Sequence, residues 1–487
     1  MTESDDGSGL DLDPSVRTFG EGTVLVGGHP GRLIVLSRLG AGALRAWLGG
    51  DRPSTATRRL GRRLVVAGMA HPVAPEPDRA EVRDVTVVVP ARDRTGSLDR
   101  CLGSLGPGVP TVVVDDGSEH PEALAEVCAR HGATLIRRAV NGGPGAARNE
   151  ALPSVSTELV AFVDCDCEVT EGWLSGLVWL FADPELAAVA PRIRPRPVGR
   201  TDARSVLERY SGHRSPLDMG PDRSEVGPGR AVRYVPTAAL VVRVSALGGG
   251  FDERLRVGED VDLVWRLLDD GWRVRYEPGV TVTHDEPTTW TGLLGRRFRY
   301  GTSAAPLSRR HPGRLAPLEL RPWPTGVTLA ALAARPAAAA ALVAGSTLSL
   351  TRQVRRFGVP STLALRWSAE GAAWTAVGLG HALTMLWGPA LAVGALHSRR
   401  WAVTAATLVA VPPLVEWWRR RPPLDPVRWS VAAVVDDVAY GAGVWWGCLR
   451  DRTFGPLVPA VRLRPGAGPP PGVAEGGEVP PIPVGEV

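Results

Sequence analysis

The chain contains no lysine: all 56 of its Lys-plus-Arg residues are arginine. The codon usage of a GC-rich genome accounts for that bias, so it is not read as phosphate binding spread along the chain. Against 51 acidic residues the net charge is only +5, with a pI near 9.2. So small a surplus argues against nucleic acid as a partner and suits a membrane surface or an anionic substrate. Cysteine is also scarce, at five in 487 residues. An odd, sparse set excludes a disulfide framework, and Cys165-Asp166-Cys167 is too short for a disulfide clip or a zinc knuckle. The thiols are therefore expected to be reduced, buried and cytosolic. The stretch from Met1 to Asp13 is acidic and polar, unlike a signal peptide.

The length allows two or three domains. Residues 1–18 are expected to be disordered. Residues 19–70 read as a small hairpin–helix unit. Short apolar strands at Thr23–Gly27 and Arg32–Leu36 flank Gly28-His29-Pro30-Gly31. Ser37 can then cap a helix over Arg38–Leu48, and a second helix covers Ala56–Gly68. This pattern resembles the winged-helix, peptide-recognising modules of ribosomally made peptide pathways; a purely structural extension is the alternative. Residues 71–84 read as a linker rich in proline and charge.

From Val85 the text alternates between strand and helix. Strands are expected at Val85–Val89, Pro110–Val114 and Ala133–Ile136, with a fourth ending at Asp164. Helices are expected at Ser97–Leu105, His120–His131 and Ala146–Leu152. Such alternation predicts a parallel sheet with helices on both faces, and ligands outside the carboxyl ends of its strands. After about residue 322 the composition turns to Ala, Leu, Val and Trp. Of the apolar runs only 371–396 reaches the roughly 20 residues a spanning helix needs. Arginines and tryptophans flank the runs, as at membrane interfaces. Residues 322–461 are thus expected to be membrane-associated helices, with an Ala-rich soluble bundle as the alternative. A Pro- and Gly-rich disordered tail over 462–487 is expected to follow.

Four elements in the middle segment carry chemistry. Val87-Val88-Val89-Pro90-Ala91-Arg92-Asp93 is a strand running into a turn. Val112-Val113-Val114-Asp115-Asp116-Gly117-Ser118 ends in two carboxylates. Asn141-Gly142-Gly143-Pro144-Gly145-Ala146-Ala147-Arg148-Asn149 is a glycine loop opening a helix. Leu159–Val163 runs into Asp164-Cys165-Asp166. Composition and spacing alone place acidic strand ends and a glycine loop on one edge of a sheet. The loop follows the third strand, not the first, which counts against a dinucleotide fingerprint.

In order and residue type these four elements resemble family 2 glycosyltransferases over about 85–300. The resemblance implies the GT-A nucleotide-diphospho-sugar transferase fold, an α/β architecture with a mostly parallel Rossmann-like sheet. Here it would stand between a small winged-helix-like domain and a hydrophobic helical region. It also implies roles. Asp115 would accept a hydrogen bond from uracil, and Pro90, Ala91 and Asp93 would line the nucleotide pocket. Arg148 would pair with the base or diphosphate, and Asp164 would hold the ribose. Asp166 would ligate Mg²⁺ or Mn²⁺, which neutralises the leaving diphosphate. In Gly258-Glu259-Asp260 the expected catalytic base is Asp260, with Glu259 orienting the acceptor; acids capping a helix are the alternative. His284, at the end of Thr281-Val282-Thr283-His284, resembles a further metal ligand of some family members, against a purely structural histidine. Arg296-Arg297-Phe298-Arg299-Tyr300 departs from the Gln-x-x-Arg-Trp signature of processive synthases, which argues against processive synthesis. A solvated basic face is the alternative for Arg296 and Arg297.

The whole architecture, with Val24-Leu25-Val26-Gly27-Gly28 and Arg299-Tyr300-Gly301-Thr302-Ser303-Ala304-Ala305, resembles the mycofactocin-system glycosyltransferases of actinobacteria. That implies an inverting hexosyltransferase with UDP-glucose as donor and a peptide-derived small molecule as acceptor, decorated with β-linked glucose. The enzyme would sit at the cell membrane with its catalytic domain on the cytoplasmic side. Two alternatives stay open: a cell-envelope glycosyltransferase with a lipid-linked or polysaccharide acceptor, and a non-catalytic membrane scaffold with a degenerate transferase domain.

Overall fold

The computed structural model describes residues 9–51, 54, 57–74, 85–197 and 205–462. The expectations for 1–8, 75–84 and 463–487 lie outside the described residues.

The N-terminal unit begins earlier than the sequence pattern suggests. Residues 9–18, expected to be disordered, supply strands β1 (Gly9–Leu12) and β2 (Arg17–Phe19). The hairpin β3 (Val24–Gly27) and β4 (Arg32–Val35) pairs with β2. Helix α1 (Arg38–Leu48) starts where Ser37 Oγ accepts from the Gly40 amide at 3.1 Å. Helix α2 (Arg58–Val66) and strand β5 (Ala70–Val73) follow, and β5 pairs antiparallel with β1. Residues 71–73, expected to open the linker, thus belong with Ala70 to this unit's sheet. A tetrapeptide such as Gly9–Leu12 carries too little periodicity to announce a strand; its partner, about 60 residues away, creates it. Leu25 faces α1 and α2, while Val24, Val26 and Leu33 pack against Leu350, Val354 and Trp367 from the C-terminal helices.

The central domain runs β6 (Val85–Ala91), α3 (Thr95–Ser104), β7 (Thr111–Asp116), α4 (Pro121–His131), β8 (Thr134–Arg138), α5 (Pro144–Ala151), β9 (Leu159–Val163), β10 (Cys167–Val169), α6 (Trp173–Val178), β11 (Leu186–Pro195), α7 (Val206–Ser211), β12 (Ser224–Glu225), β13 (Ala239–Arg243), α8 (Glu259–Asp269) and β14 (Arg273–His284). The sheet order is β10-β14-β11-β13-β9-β6-β7-β8, with β12 beside β14. Strands β8, β7, β6 and β9 are parallel, and β13 joins β9 antiparallel. Both faces are buried, so the strands read as continuous apolar runs. Alternation then sends Val87, Val89, Ala161 and Val163 to the side of α3, α4 and α6, and Val88, Val160 and Phe162 to the side of α5 and α8. Chain order reverses between β6 and β9, and the crevice at such a switch point is where ligands bind.

Helices α9 (Trp290–Thr302) and α10 (Ala304–Arg310) lead out of this domain. Beyond β15 (Glu319–Leu320) come α11 (Pro322–Leu332), α12 (Pro336–Val354), α13 (Ser361–His397), α14 (Arg399–Arg420) and α15 (Pro426–Asp451), then β16 (Ala460–Val461) back beside β15. Helix α13 is long and apolar enough to cross a membrane. It kinks at Trp387, just before Pro389. Helix α15 lies so close to α9 that a Cβ at Gly301 would collide with the Tyr440 carbonyl, and one at Gly443 with the Phe298 carbonyl. Only glycine permits that approach.

Candidate active site

The carboxylates named from the sequence gather at the β6/β9 crevice and the loops around it. Asp115, near the end of β7, is fully buried. Its Oδ1 accepts from the Ser118 amide at 2.8 Å and its Oδ2 from Arg137 Nη1 at 2.9 Å. Burial alone would raise its pKa; the Ser118 hydroxyl and amide and the Arg137 guanidinium outweigh it and hold the group below the usual carboxylate range. A base reaching Oδ2 would therefore displace Arg137, whose side chain is 44% exposed. Pro90 and Ala91 end β6, and Asp93 follows in the left-handed region at φ 54°. The Asp93 amide donates to Ser118 Oγ at 3.0 Å, and its Oδ1 accepts from the Glu119 amide at 2.7 Å. These bonds tie the β6 and β7 loops into one wall.

Asp116 received no role from the sequence, yet it anchors the glycine loop. Its carboxylate accepts from the amides of Gly142 (2.8 Å) and Gly143 (2.7 Å) and from Arg138 Nε (3.0 Å). Strand alternation carried the signal, since Asp115 and Asp116 must face opposite sides of β7.

Arg148 is placed differently from expectation. It was expected to meet the nucleotide, but it is only 2% exposed. Its Nη2 donates to Asp164 Oδ1 at 2.6 Å and its Nη1 to Glu259 Oε1 at 3.0 Å, with the guanidinium over the Phe251 ring. Pro144 at the first turn of α5 sets the helix that delivers it. One buried cation thus joins the acid after β9 to the acid opening α8. Asp164 is pushed up, first by burial and then by Asp166, with Arg148 opposing both. Burial and the neighbouring Asp260 push Glu259 up to about 7 against the pull of Arg148. Asp260 is likewise raised by burial, opposed by the Val261 amide, which donates to its Oδ1 at 2.8 Å. An uncompensated carboxylate in low dielectric takes up a proton more readily.

Asp166 Oδ2 lies 3.6 Å from His284 Nε2 and forms an ion pair with Arg94, a residue the sequence reading did not single out. Strand β10 pairs with β14 and brings His284 opposite Cys167, which is why residues so far apart in the chain meet. The buried Nδ1 of His284 lacks a hydrogen-bond partner; its nearest acid is Glu286 Oε1 at 3.7 Å. An imidazole beside one carboxylate and backed by another is a donor set that fits a divalent cation. Among the described residues no group of three or more His, Cys, Asp or Glu side chains could hold a metal. A cation here would draw its other ligands from substrate and water. Cys165, between the two acids, is buried in the core.

Arg297 is not part of a solvated face: its Nε and Nη2 reach Asp436 on α15 at 2.5 and 2.7 Å. Arg296 stands 3.7 Å from Glu286.

A mixed sheet with a switch-point crevice, acids at the ends of β7 and β9 and a carboxylate pair opening α8 are the arrangement of a nucleotide-sugar transferase of GT-A type. The family model described as glycosyl transferase family 2 matches residues 86–243. A pre-mycofactocin glycosyltransferase of Mycobacterium tuberculosis is 36% identical over 479 residues, covering 95% of this chain and 99% of the relative. An N-acetylglucosaminyltransferase of Rhizobium meliloti is 28% identical over 251 residues, covering 47% and 58%. Among solved structures, a mannosyltransferase of Pyrobaculum calidifontis in complex with GDP-Man and Mn²⁺ has a TM-score of 0.37 at 19% identity, covering 75% of this chain and 89% of that one. The chain is a glycosyltransferase and belongs, within family 2, to the family of the pre-mycofactocin glycosyltransferases.

Proposed function

We propose that this enzyme transfers glucose from UDP-glucose, with inversion and with a divalent cation, to a peptide-derived mycofactocin precursor, building a β-linked oligosaccharide. The acceptor assignment is supported by full-length similarity to a protein named for that substrate. The observation that carries the chemistry is the Arg148 bridge, which holds the Asp164 side of the crevice and the Glu259-Asp260 pair in one site. Asp260 takes the proton from the attacking acceptor hydroxyl. The new bond forms at the anomeric carbon as its bond to the diphosphate oxygen breaks, and UDP leaves with the electron pair. Inversion follows from attack on the face opposite the diphosphate. Asp166 and His284 would hold Mg²⁺ or Mn²⁺, which when bound neutralises charge developing on the diphosphate. Asp115, Pro90, Ala91 and Asp93 frame the nucleotide, and Asp164 takes the ribose hydroxyls.

The enzyme works at the cytoplasmic side of the cell membrane, a reading supported by the apolar C-terminal helices and their flanking Arg and Trp. The test is incubation of the full chain with UDP-[¹⁴C]glucose, Mn²⁺ and either the peptide-derived acceptor or a lipid-linked one. Labelled product from the first alone is expected. Product from the lipid-linked acceptor alone would move the enzyme to the cell envelope. No UDP release from any sugar donor would leave only the scaffold reading.

A further inference from the structure

Helix α15 is turned the wrong way round for water. Its two central acids point inward. Asp436, 1% exposed, accepts from Arg297, from the Tyr210 hydroxyl at 2.8 Å and from Arg214 Nη1 at 2.8 Å; Asp437 accepts from Arg214 Nη2 at 2.9 Å. The outward face presents Val431, Val435, Val438, Ala442, Trp446 and Leu449, spaced three and four residues apart, and the larger of these are 42–60% exposed. No charge interrupts that face between the exposed Arg428 and Arg450. A helix on the surface of a water-soluble protein has the opposite polarity.

Helix α14, packed against α15, repeats the pattern. Its one acid, Glu416, is turned to Arg214 Nε at 3.0 Å. Exposed Val403, Val411, Leu414 and Trp418 lie between Arg399-Arg400 and Arg419-Arg420. A groove of about 440 Å³, lined by Trp290, Leu294, Val427, Val431, Val435 and one charged residue, Arg428, opens beside the outward face of α15. Apart from Arg428 it has the apolar lining an acyl chain requires.

The inner face of α15 is occupied along its length. Trp429 packs with Leu207 and Tyr210, Asp436 meets Arg297, Gly443 touches the Phe298 backbone, and Cys448 packs with Ala304 and Ala305. A helix pinned in this way to the catalytic domain cannot stand across a bilayer, where its whole girth would have to meet lipid or other membrane-embedded protein.

We infer that the outward faces of α14 and α15 form a docking surface that lies in the plane of an anionic membrane, with apolar side chains below the headgroups and the bracketing arginines among them. This rests on the membrane reading above and assigns its surface, its lipid charge and its mode. Apolar burial supplies the contact and the arginines supply the preference for negative lipid.

The test is flotation of the full chain with phosphatidylcholine vesicles, with and without phosphatidylglycerol, followed by an alkaline carbonate wash. The wild type is expected to bind the anionic vesicles about tenfold more than the neutral ones and to be released by carbonate. The double variant Val435→Asp/Trp446→Asp is expected to lose about tenfold or more of that binding, with UDP affinity and melting temperature unchanged. Leu39→Asp, an equally polar change on exposed α1, should bind as wild type does. Retention of both the wild type and the double variant through carbonate would mean that α13 crosses the bilayer and would overturn the in-plane mode, and equal binding to neutral vesicles would overturn the charge preference. Undiminished binding of the double variant would overturn the assigned surface. If that variant instead turned a dimer into a monomer on gel filtration with vesicle binding intact, the face would belong to a second copy of the chain. A wild type that binds no vesicle would remove the membrane reading itself and leave the glycosyltransferase reading standing.

Discussion

Replacing Arg148 with alanine should cost stability before it costs nucleotide binding. The side chain is 2% exposed and its two carboxylate partners are 30% and 8% exposed. Removing one partner of a buried ion pair leaves the other charge uncompensated, at about 3–5 kcal/mol. The cost should depend on pH. Burial and Asp260 hold Glu259 at about 7, above its usual 4.5. A carboxyl group raised on folding contributes stability that is fully present below its unfolded value and is lost as pH rises through the folded value. Arg148 limits that rise, so without it Glu259 stays protonated to higher pH. Destabilisation in urea should therefore be larger at about pH 8, where the native Glu259 is mostly ionised, than at about pH 6, where it is mostly protonated. Arg148→Lys should rescue little, because one ammonium cannot repeat the two-armed bridge. The assay is urea unfolding of the full chain at both pH values, alongside UDP affinity by calorimetry. Unchanged unfolding with UDP binding weakened more than about tenfold would refute the bridge and return Arg148 to the nucleotide.

Three further outcomes are expected. Asp166→Ala should abolish metal-dependent UDP binding, and unchanged affinity in Mn²⁺ would reject its role as a ligand. Asp260→Asn should bind donor normally yet lose about 10²–10⁴ in transfer rate, since an amide cannot accept the proton; near-normal turnover would remove it as the base. Gly443→Leu should lower the melting temperature by several degrees, because its side chain meets the Phe298 carbonyl on α9; an unaltered melting curve would show that the two helices can part without loss.

The alternation of β6, α3, β7, α4, β8, α5 and β9 was legible because each element carries its own periodicity and turn chemistry. The acids at the ends of β7 and β9 were legible for the same reason: strand ends are local features, and a parallel sheet brings them to one edge. The span of α1 matched to the residue because Ser37 and Gly49 mark its ends locally. The partners of those acids were not legible. Arg148 was assigned to the base or diphosphate on the family resemblance, but Glu259, 111 residues later, captures half of its guanidinium. Strand β1 escaped notice because its evidence lies in β5. Helix α15 was expected among the membrane-associated helices, but its outward apolar face was not legible, since Asp436 and Asp437 weigh the same in a composition whichever way they face.

The sequence by itself determined the order of strands and helices, the acids available at the crevice and the family of the chain, because all of these reside in short contiguous patterns. Only the tertiary structure decided which charges neutralise one another. It turned Arg148 into a strut between Asp164 and Glu259, set Arg94 on Asp166, and drew Asp436 and Asp437 inward onto Arg214 and Arg297 so that an apolar face was left outside. The physical reason is distance: Coulomb attraction and burial act between groups close in space, and chain separation bears on neither.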